Sequence, residues 1–168
     1  GNTSSIISNN IRTIVEGSNK DLFIGTEDNG VCIFNKSTEK FKALPLLNEQ
    51  IKSLYYQCDS NVLWIVTNGN GLKDFVLEYE TIIAKFTEED GLPNNVIYGI
   101  LPDEQGNLWL SSNQGISKFN IEKQSFFNYD NYGGLQGFEF NTGAYFKDET
   151  GTLYFGGVYG LNWFQPKN

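Results

Sequence analysis

The chain carries 20 Asp and Glu residues and not one His, which narrows the chemistry open to it. Histidine is the commonest general base near neutral pH and the commonest zinc ligand. A Ser-His triad and a histidine-built hydrolytic zinc centre are therefore both excluded within these residues. Carboxylates alone can still cleave glycosidic bonds, one as acid and a second as base or nucleophile, if the two converge at about 5 to 9.5 Å. Glu88, Glu89, Asp90, Asp130 and Glu139 stand between sequence repeats, where such a pair would sit. Their plainer reading is solvated loop charge on an acidic surface, and no residue is assigned a catalytic role.

The segment Asp103-Glu104-Gln105-Gly106-Asn107-Leu108-Trp109, echoed by Asp148-Glu149-Thr150-Gly151-Thr152-Leu153-Tyr154, has the look of a metal loop or a sialidase-type aspartate box. A calcium loop needs oxygen ligands at alternating positions and a distal bidentate carboxylate, which this spacing lacks. A hairpin turn accounts for both Asp and Gly, and no metal site is assigned. Gly69-Asn70-Gly71 and Gly156-Gly157 lie between strands rather than ahead of a helix, so they lack the N-terminus that makes a phosphate cradle. Trp64 and Trp109 occupy equivalent places in successive repeats and read as core. Phe126, Phe127, Tyr129, Tyr132, Phe138 and Phe140 instead crowd a stretch that breaks the repeat and contains Gly133-Gly134. Rings beside glycines on a loop suit ligand contact, with packing on a neighbouring repeat as the competing reading. Tyr129, Tyr132, Phe138 and Glu139 are the candidate ligand-binding residues.

The elements that must hold these residues follow from one period. Leu22-Phe23-Ile24, Leu63-Trp64-Ile65, Leu108-Trp109-Leu110 and Leu153-Tyr154-Phe155 are each followed by a glycine (Gly30, Gly71, Gly115, Gly160), and their central rings lie 41, 45 and 45 residues apart. Periods of about 40 to 50 residues belong to propeller blades and other units that bury their apolar faces by stacking on one another. First strands are expected at Ile11 to Val15, Ile51 to Tyr55, Val96 to Leu101 and Gly143 to Phe146. Asp, Asn and Gly turns lead from these into the apolar triplets. Third strands end at Phe34, Phe75, Phe119 and Phe164, and more polar outer strands follow at Lys40 to Leu44, Ile82 to Phe86 and Ser125 to Tyr129. The fourth repeat meets Gln165-Pro166 before any outer strand, which leaves Thr3 to Ile7 as the candidate to complete it. No window holds a helical period for more than a turn. The expected fold is all-β, a β-propeller segment of four repeats of four-stranded antiparallel sheet, with repeats at about 9–47, 48–90, 91–130 and 138–166 and 1–8 as a closing strand.

At 168 residues and 39% hydrophobic, the chain is large enough for one domain with a real core. Its net charge of −8 and the absence of any basic run argue against nucleic acid and strongly anionic polymers as partners. It has no apolar run near the ~20 residues of a membrane-spanning helix and no signal-peptide pattern. The leading Gly1 and the missing initiator Met read as excision from a longer protein. Cys32 and Cys58 fall at non-equivalent places in different repeats and are expected to be unpaired.

The phrases Leu22-Phe23-Ile24-Gly25-Thr26, Gly91-Leu92-Pro93-Asn94-Asn95-Val96, Asp103 to Leu110 and Gly115-Ile116-Ser117-Lys118-Phe119-Asn120 resemble two-component regulator propeller repeats, found in the periplasmic sensor region of Bacteroides-type hybrid two-component sensor histidine kinases. The tail from Gly134-Leu135-Gln136-Gly137-Phe138 through Gly160-Leu161-Asn162-Trp163-Phe164 is similar to the final blades of that region, with repeat 2 departing at Val66 and at Lys73-Asp74. The resemblance implies part of a seven-bladed ring in the periplasmic part of an inner-membrane protein, followed by an immunoglobulin-like domain, a membrane span and a kinase. It implies sensing of glycan-derived oligosaccharides that controls transcription, with no catalysis in this segment and no cofactor. The implied partners are an oligosaccharide, the remaining blades, the immunoglobulin-like domain and a second copy. A propeller glycoside hydrolase or lyase and a protein-interaction propeller stay open as alternatives.

Overall fold

The computed structural model describes residues 4–44, 48–130 and 134–166. Among the described residues fifteen strands form four antiparallel sheets in strict chain order. The first holds β1 (Ile11–Glu16), β2 (Leu22–Thr26), β3 (Val31–Asn35) and β4 (Lys40–Ala43). The second holds β5 (Ile51–Gln57), β6 (Val62–Thr67), β7 (Leu72–Val76) and β8 (Thr81–Phe86). The third holds β9 (Ile97–Pro102), β10 (Asn107–Ser112), β11 (Gly115–Asn120) and β12 (Ser125–Tyr129), and the fourth β13 (Phe140–Lys147), β14 (Leu153–Gly157) and β15 (Gly160–Phe164). A single 3-10 turn at Glu88–Asp90 is the helical element among the described residues. The inner strands line up in succession, β1 on β5, β5 on β9 and β9 on β13, and no comparable packing joins β13 to β1. The sheets therefore stand as four blades of a propeller.

Each junction between blades has its own core, because strands buried on both faces must be apolar throughout. Every residue of β6 and β10 is buried. The repeated ring of the second strand reaches the next blade each time: Phe23 lies 5.3 Å from Tyr56, Trp64 5.8 Å from Phe119 and Trp109 4.7 Å from Phe164. Such a ring buries roughly 150–250 Å², worth on the order of 4–6 kcal/mol in transfer free energy. Where no neighbour follows, the surface stays open. Ile14 on β1, and Phe146, Leu161 and Trp163 on the fourth blade, are at least half exposed, as expected of the end faces of a stack.

The repeat glycines are fixed by backbone geometry. Gly71 and Gly115 have φ of 72° and 101°, and a β-carbon on either would lie 2.1 Å from the Phe86 carbonyl oxygen or 2.2 Å from that of Tyr129. Beside them the last residue of the second strand staples the turn. The hydroxyls of Thr26, Thr67 and Ser112 donate to the carbonyls of Gly30, Gly71 and Gly115 and accept from the N–H of Asn29, Asn70 and Gln114. A second tie crosses the axis: Tyr145 on β13 reaches Ser53 on β5, hydroxyl to hydroxyl at 2.6 Å. The ring passes over Gly99, where a β-carbon would lie 2.3 Å away.

The fourth blade corrects the expectation of four strands throughout. It has three among the described residues, and the expected completing segment Thr3 to Ile7 does not supply a fourth. Residues 4–7 form bends rather than a strand, with the Ile7 carbonyl accepting from Asn29 Nδ2 on the first blade; Thr3 lies outside the described residues. Cys32 and Cys58 are both free, the first buried and the second exposed.

Candidate ligand-binding hollow

Because strands alternate in direction, the turns from second to third strand and the crossovers between blades emerge at the same end of the sheets. The two sets are bonded together. Gly30 N–H donates to Glu49 O, Gly71 N–H to Asn95 O, Gly115 N–H to Phe138 O and Val158 N–H to Glu139 O, at 2.8–3.0 Å. Between the β10–β11 turn and the crossover into the fourth blade this leaves a hollow of about 500 Å³, lined by Pro93, Asn113, Gln114, Asn128, Tyr129, Asp130 and Phe138.

The walls are built from different constraints. Tyr129 ends β12 opposite Ile116 and stacks on Trp109, with ring centroids 5.5 Å apart. Trp109 is itself held by Asp103, whose Oδ2 accepts from its indole N–H at 2.9 Å. Burial alone would push the Asp103 carboxyl up, but hydrogen bonds from Asn107, Trp109 and Gln105 outweigh it and hold the group below the usual carboxylate range. The aspartate turn thus orients a ring that backs the hollow, and the hairpin reading of that segment holds, since both carboxylate oxygens are taken by N–H donors. Phe138 is positioned by its carbonyl bond to Gly115 and keeps 42% of its surface exposed. Asn128 is oriented by donation from Nδ2 to Gly91 O at 2.8 Å. Asn113 Oδ1 is buried with no hydrogen-bond partner among the described residues, an uncompensated acceptor in a lining residue. Two rings, three amides and a carboxylate about one concavity can stack on an apolar ring face and bond several hydroxyls at once.

Of the four residues singled out from sequence, Tyr129 and Phe138 share this hollow. Glu139 lines a separate narrow crevice with Gln136, Tyr159 and Asn162, and Tyr132 lies outside the described residues. Asn113, Gln114 and Asn128 had no sequence signal beyond polar side chains at strand ends. Of the inter-repeat carboxylates, Asp130 is at the hollow, Glu139 in the crevice, and Glu88 and Asp90 bond the backbone N–H groups of Asn95 and Thr87 around the 3-10 turn. Among the described residues no group of three or more Cys, Asp or Glu could hold a metal ion.

Residues 91–114, which contribute Pro93, Asn113 and Gln114 to the hollow, match the family described as two component regulator propeller. The match places a two component regulator propeller repeat at the start of the third blade. Histidine kinase P4 of Formosa agariphila is 29% identical over 170 residues, spanning 96% of this propeller and 12% of the kinase. The extracellular domain of a B. thetaiotaomicron protein assigned as the hybrid two-component system BT3049 superposes with a TM-score of 0.82 at 31% identity, covering 98% of this propeller and 23% of that chain. The corresponding domain of BT4673 from the same organism gives 0.84 at 22% identity, over 97% and 24%, and shows the fold alone. The propeller therefore spans between an eighth and a quarter of these relatives.

Proposed function

We propose that this propeller belongs to the periplasmic part of a hybrid two-component sensor kinase anchored in the inner membrane, and that its hollow at Tyr129 and Phe138 takes up an oligosaccharide released by glycan breakdown. The observation that carries the reading is the buried, unpartnered Asn113 Oδ1 in a concavity walled by aromatic rings and amides. A sugar hydroxyl donating to that acceptor would relieve its desolvation while an apolar sugar face lies on a ring. With a net charge of −8 the ligand is a neutral oligosaccharide rather than a sulfated or uronic acid one. Signal output, through the remaining blades, an immunoglobulin-like domain and a dimer of the parent, leads to transcriptional control outside these residues.

Calorimetric titration of this propeller and of the whole extracytoplasmic region of its parent with a panel of neutral and acidic oligosaccharides tests the reading. Saturable binding of a neutral member that is weakened about tenfold or more by Asn113→Ala and by Phe138→Ala supports it. Absence of binding to both proteins across the panel, or binding indifferent to both substitutions, overturns it.

A further inference from the structure

The turn from second to third strand is held differently in the fourth blade. In the first three a hydroxyl staples it, from Thr26, Thr67 or Ser112, and the residue ahead of the repeat glycine is an amide: Asn29, Asn70 or Gln114. Gln114 is the one that lines the hollow. In the fourth blade the stapling position is Gly157, where a β-carbon would lie 2.4 Å from the Glu139 carbonyl oxygen, and the residue ahead of the glycine is Tyr159. This turn is clasped to the incoming crossover instead. Val158 N–H donates to Glu139 O at 3.0 Å, and Asn162 Oδ1 accepts from Gln136 N–H at 2.9 Å. Two glycines let the segments interlock. The Tyr159 ring lies against Gly137, where a β-carbon would sit 2.5 Å from it, and Gln136 Oε1 lies over Gly160, where one would sit 2.4 Å away.

The clasp fixes a ring without burying it. Tyr159 is 71% exposed, and a side chain so exposed ordinarily changes rotamer within nanoseconds. Here its seat is Gly137, next in the chain to Phe138, their Cα atoms about 3.8 Å apart. Both rings are thus carried by one crossover, Phe138 by the chain itself and Tyr159 by packing. The crevice at Tyr159 also presents the Gln136 amide, which donates and accepts, and the Glu139 carboxylate, which only accepts. It is too narrow to admit a guest, so a ligand there lies across the ring rather than beneath it.

We infer that Tyr159 is the stacking platform of a second sugar subsite, continuous with the hollow past Phe138, and that the oligosaccharide is longer than the hollow alone can hold. The inference rests on the ligand reading above. One unit occupies the hollow; a unit further along lays its apolar face on Tyr159 and turns its hydroxyls to Gln136 and Glu139. A ring already held in position gives contact area at little entropic cost. A carboxylate beside it also favours a neutral ligand, in line with the charge of the chain.

The test is calorimetric titration of the 168-residue protein, and of the complete extracytoplasmic region of its parent, with malto-, xylo-, manno- and laminari-oligosaccharides in series from disaccharide to hexasaccharide. In the series that binds, affinity is expected to rise at least about tenfold from the shortest to the longest member. Tyr159→Ala removes that rise, as does Tyr159→Gln, which installs the residue the third blade carries at this place and so keeps the turn foldable; Tyr159→Phe retains it. A rise that survives Tyr159→Ala and Tyr159→Gln, no rise with length, or an equal loss for short and long members overturns the second subsite. The hollow reading then still stands if Asn113→Ala and Phe138→Ala weaken binding. Binding of no member overturns both. A Tyr159-dependent rise confined to the 168-residue protein also overturns the inference, since the rest of the parent then covers the ring.

Discussion

Asp103→Asn replaces one carboxylate oxygen by an NH₂ group and isolates what the aspartate turn contributes. In the native turn Oδ1 accepts from the N–H groups of Gln105 and Asn107, and Oδ2 from Asn107 Nδ2 and Trp109 Nε1, all at 2.9 Å. An asparagine can keep its oxygen on the two backbone donors, but its NH₂ then faces two other N–H donors. Asn107 cannot answer by turning its amide over, because its Oδ1 already accepts from Asn120 Nδ2 at 2.8 Å. The indole N–H is left unpaired in a ring that is 4% exposed. Losing a hydrogen bond to a charged acceptor costs about 1.5–3 kcal/mol and orphaning a buried donor about 1–3. The two overlap, so the expected loss is about 2–4 kcal/mol, or about 4–16 °C in Tm for a chain of this size. Urea unfolding followed by circular dichroism, with the slope unchanged, measures it. The internal control is Asp148→Asn, where the corresponding carboxylate is only half-buried and its Oδ2 accepts from the Tyr154 hydroxyl, free to rotate to water, rather than from an indole N–H. A loss at Asp103 below about 1 kcal/mol, or one no larger than at Asp148, refutes the reasoning.

The acid limb carries the same information. The folded Asp103 carboxyl lies below its unfolded value of about 3.9, so its stabilisation is present above that pH and drains away as pH falls through the folded value. Urea midpoints of the native protein should fall more steeply below about pH 4 than those of Asp103→Asn. Gly71→Ala should destabilise by about 2–5 kcal/mol, combining left-handed backbone with overlap on the Phe86 carbonyl. Gly106→Ala, with a similar φ of 76° and open space around it, should cost about 1–2 kcal/mol. Thiol titration with an aromatic disulfide should label Cys58 quickly and Cys32 only on unfolding, since Cys32 is buried and its thiol is pushed up by that burial. Equal labelling rates would contradict the packing of β3.

The blades were legible in the chain because two local rules recur in phase. An apolar triplet can be buried on both faces only in a strand with sheets on either side, and the following glycine sits where a β-carbon would strike the outer strand's carbonyl, as at Gly71 and Gly115. The core role of Trp64 and Trp109 followed from the same period. What one blade does to another was not legible. That Thr3 to Ile7 would leave the fourth blade uncompleted depends on where Asn29 catches the Ile7 carbonyl. That Tyr145 would cross to Ser53 above Gly99 depends on three separate sheets. The hollow shows the same division. Tyr129 and Phe138 stood out as rings in an irregular stretch, whereas Asn113 and Gln114 matter only because Gly115 N–H draws the Phe138 crossover over their turn. Glu139, next in sequence to Phe138, points its chemistry to another crevice because its carbonyl is bonded one turn further round, to Val158.

Tyr129 forms part of both the amide-lined hollow and a cleft beside β15. A partition between two chambers has only one set of motions to lose. Whatever fills one chamber first stills the ring, and a guest arriving in the other finds that ordering already done. Reciprocity then requires each occupant to tighten the hold on the other by the same factor. One phenol ring would let the occupants of the hollow and of the cleft report on each other with no displacement of the backbone.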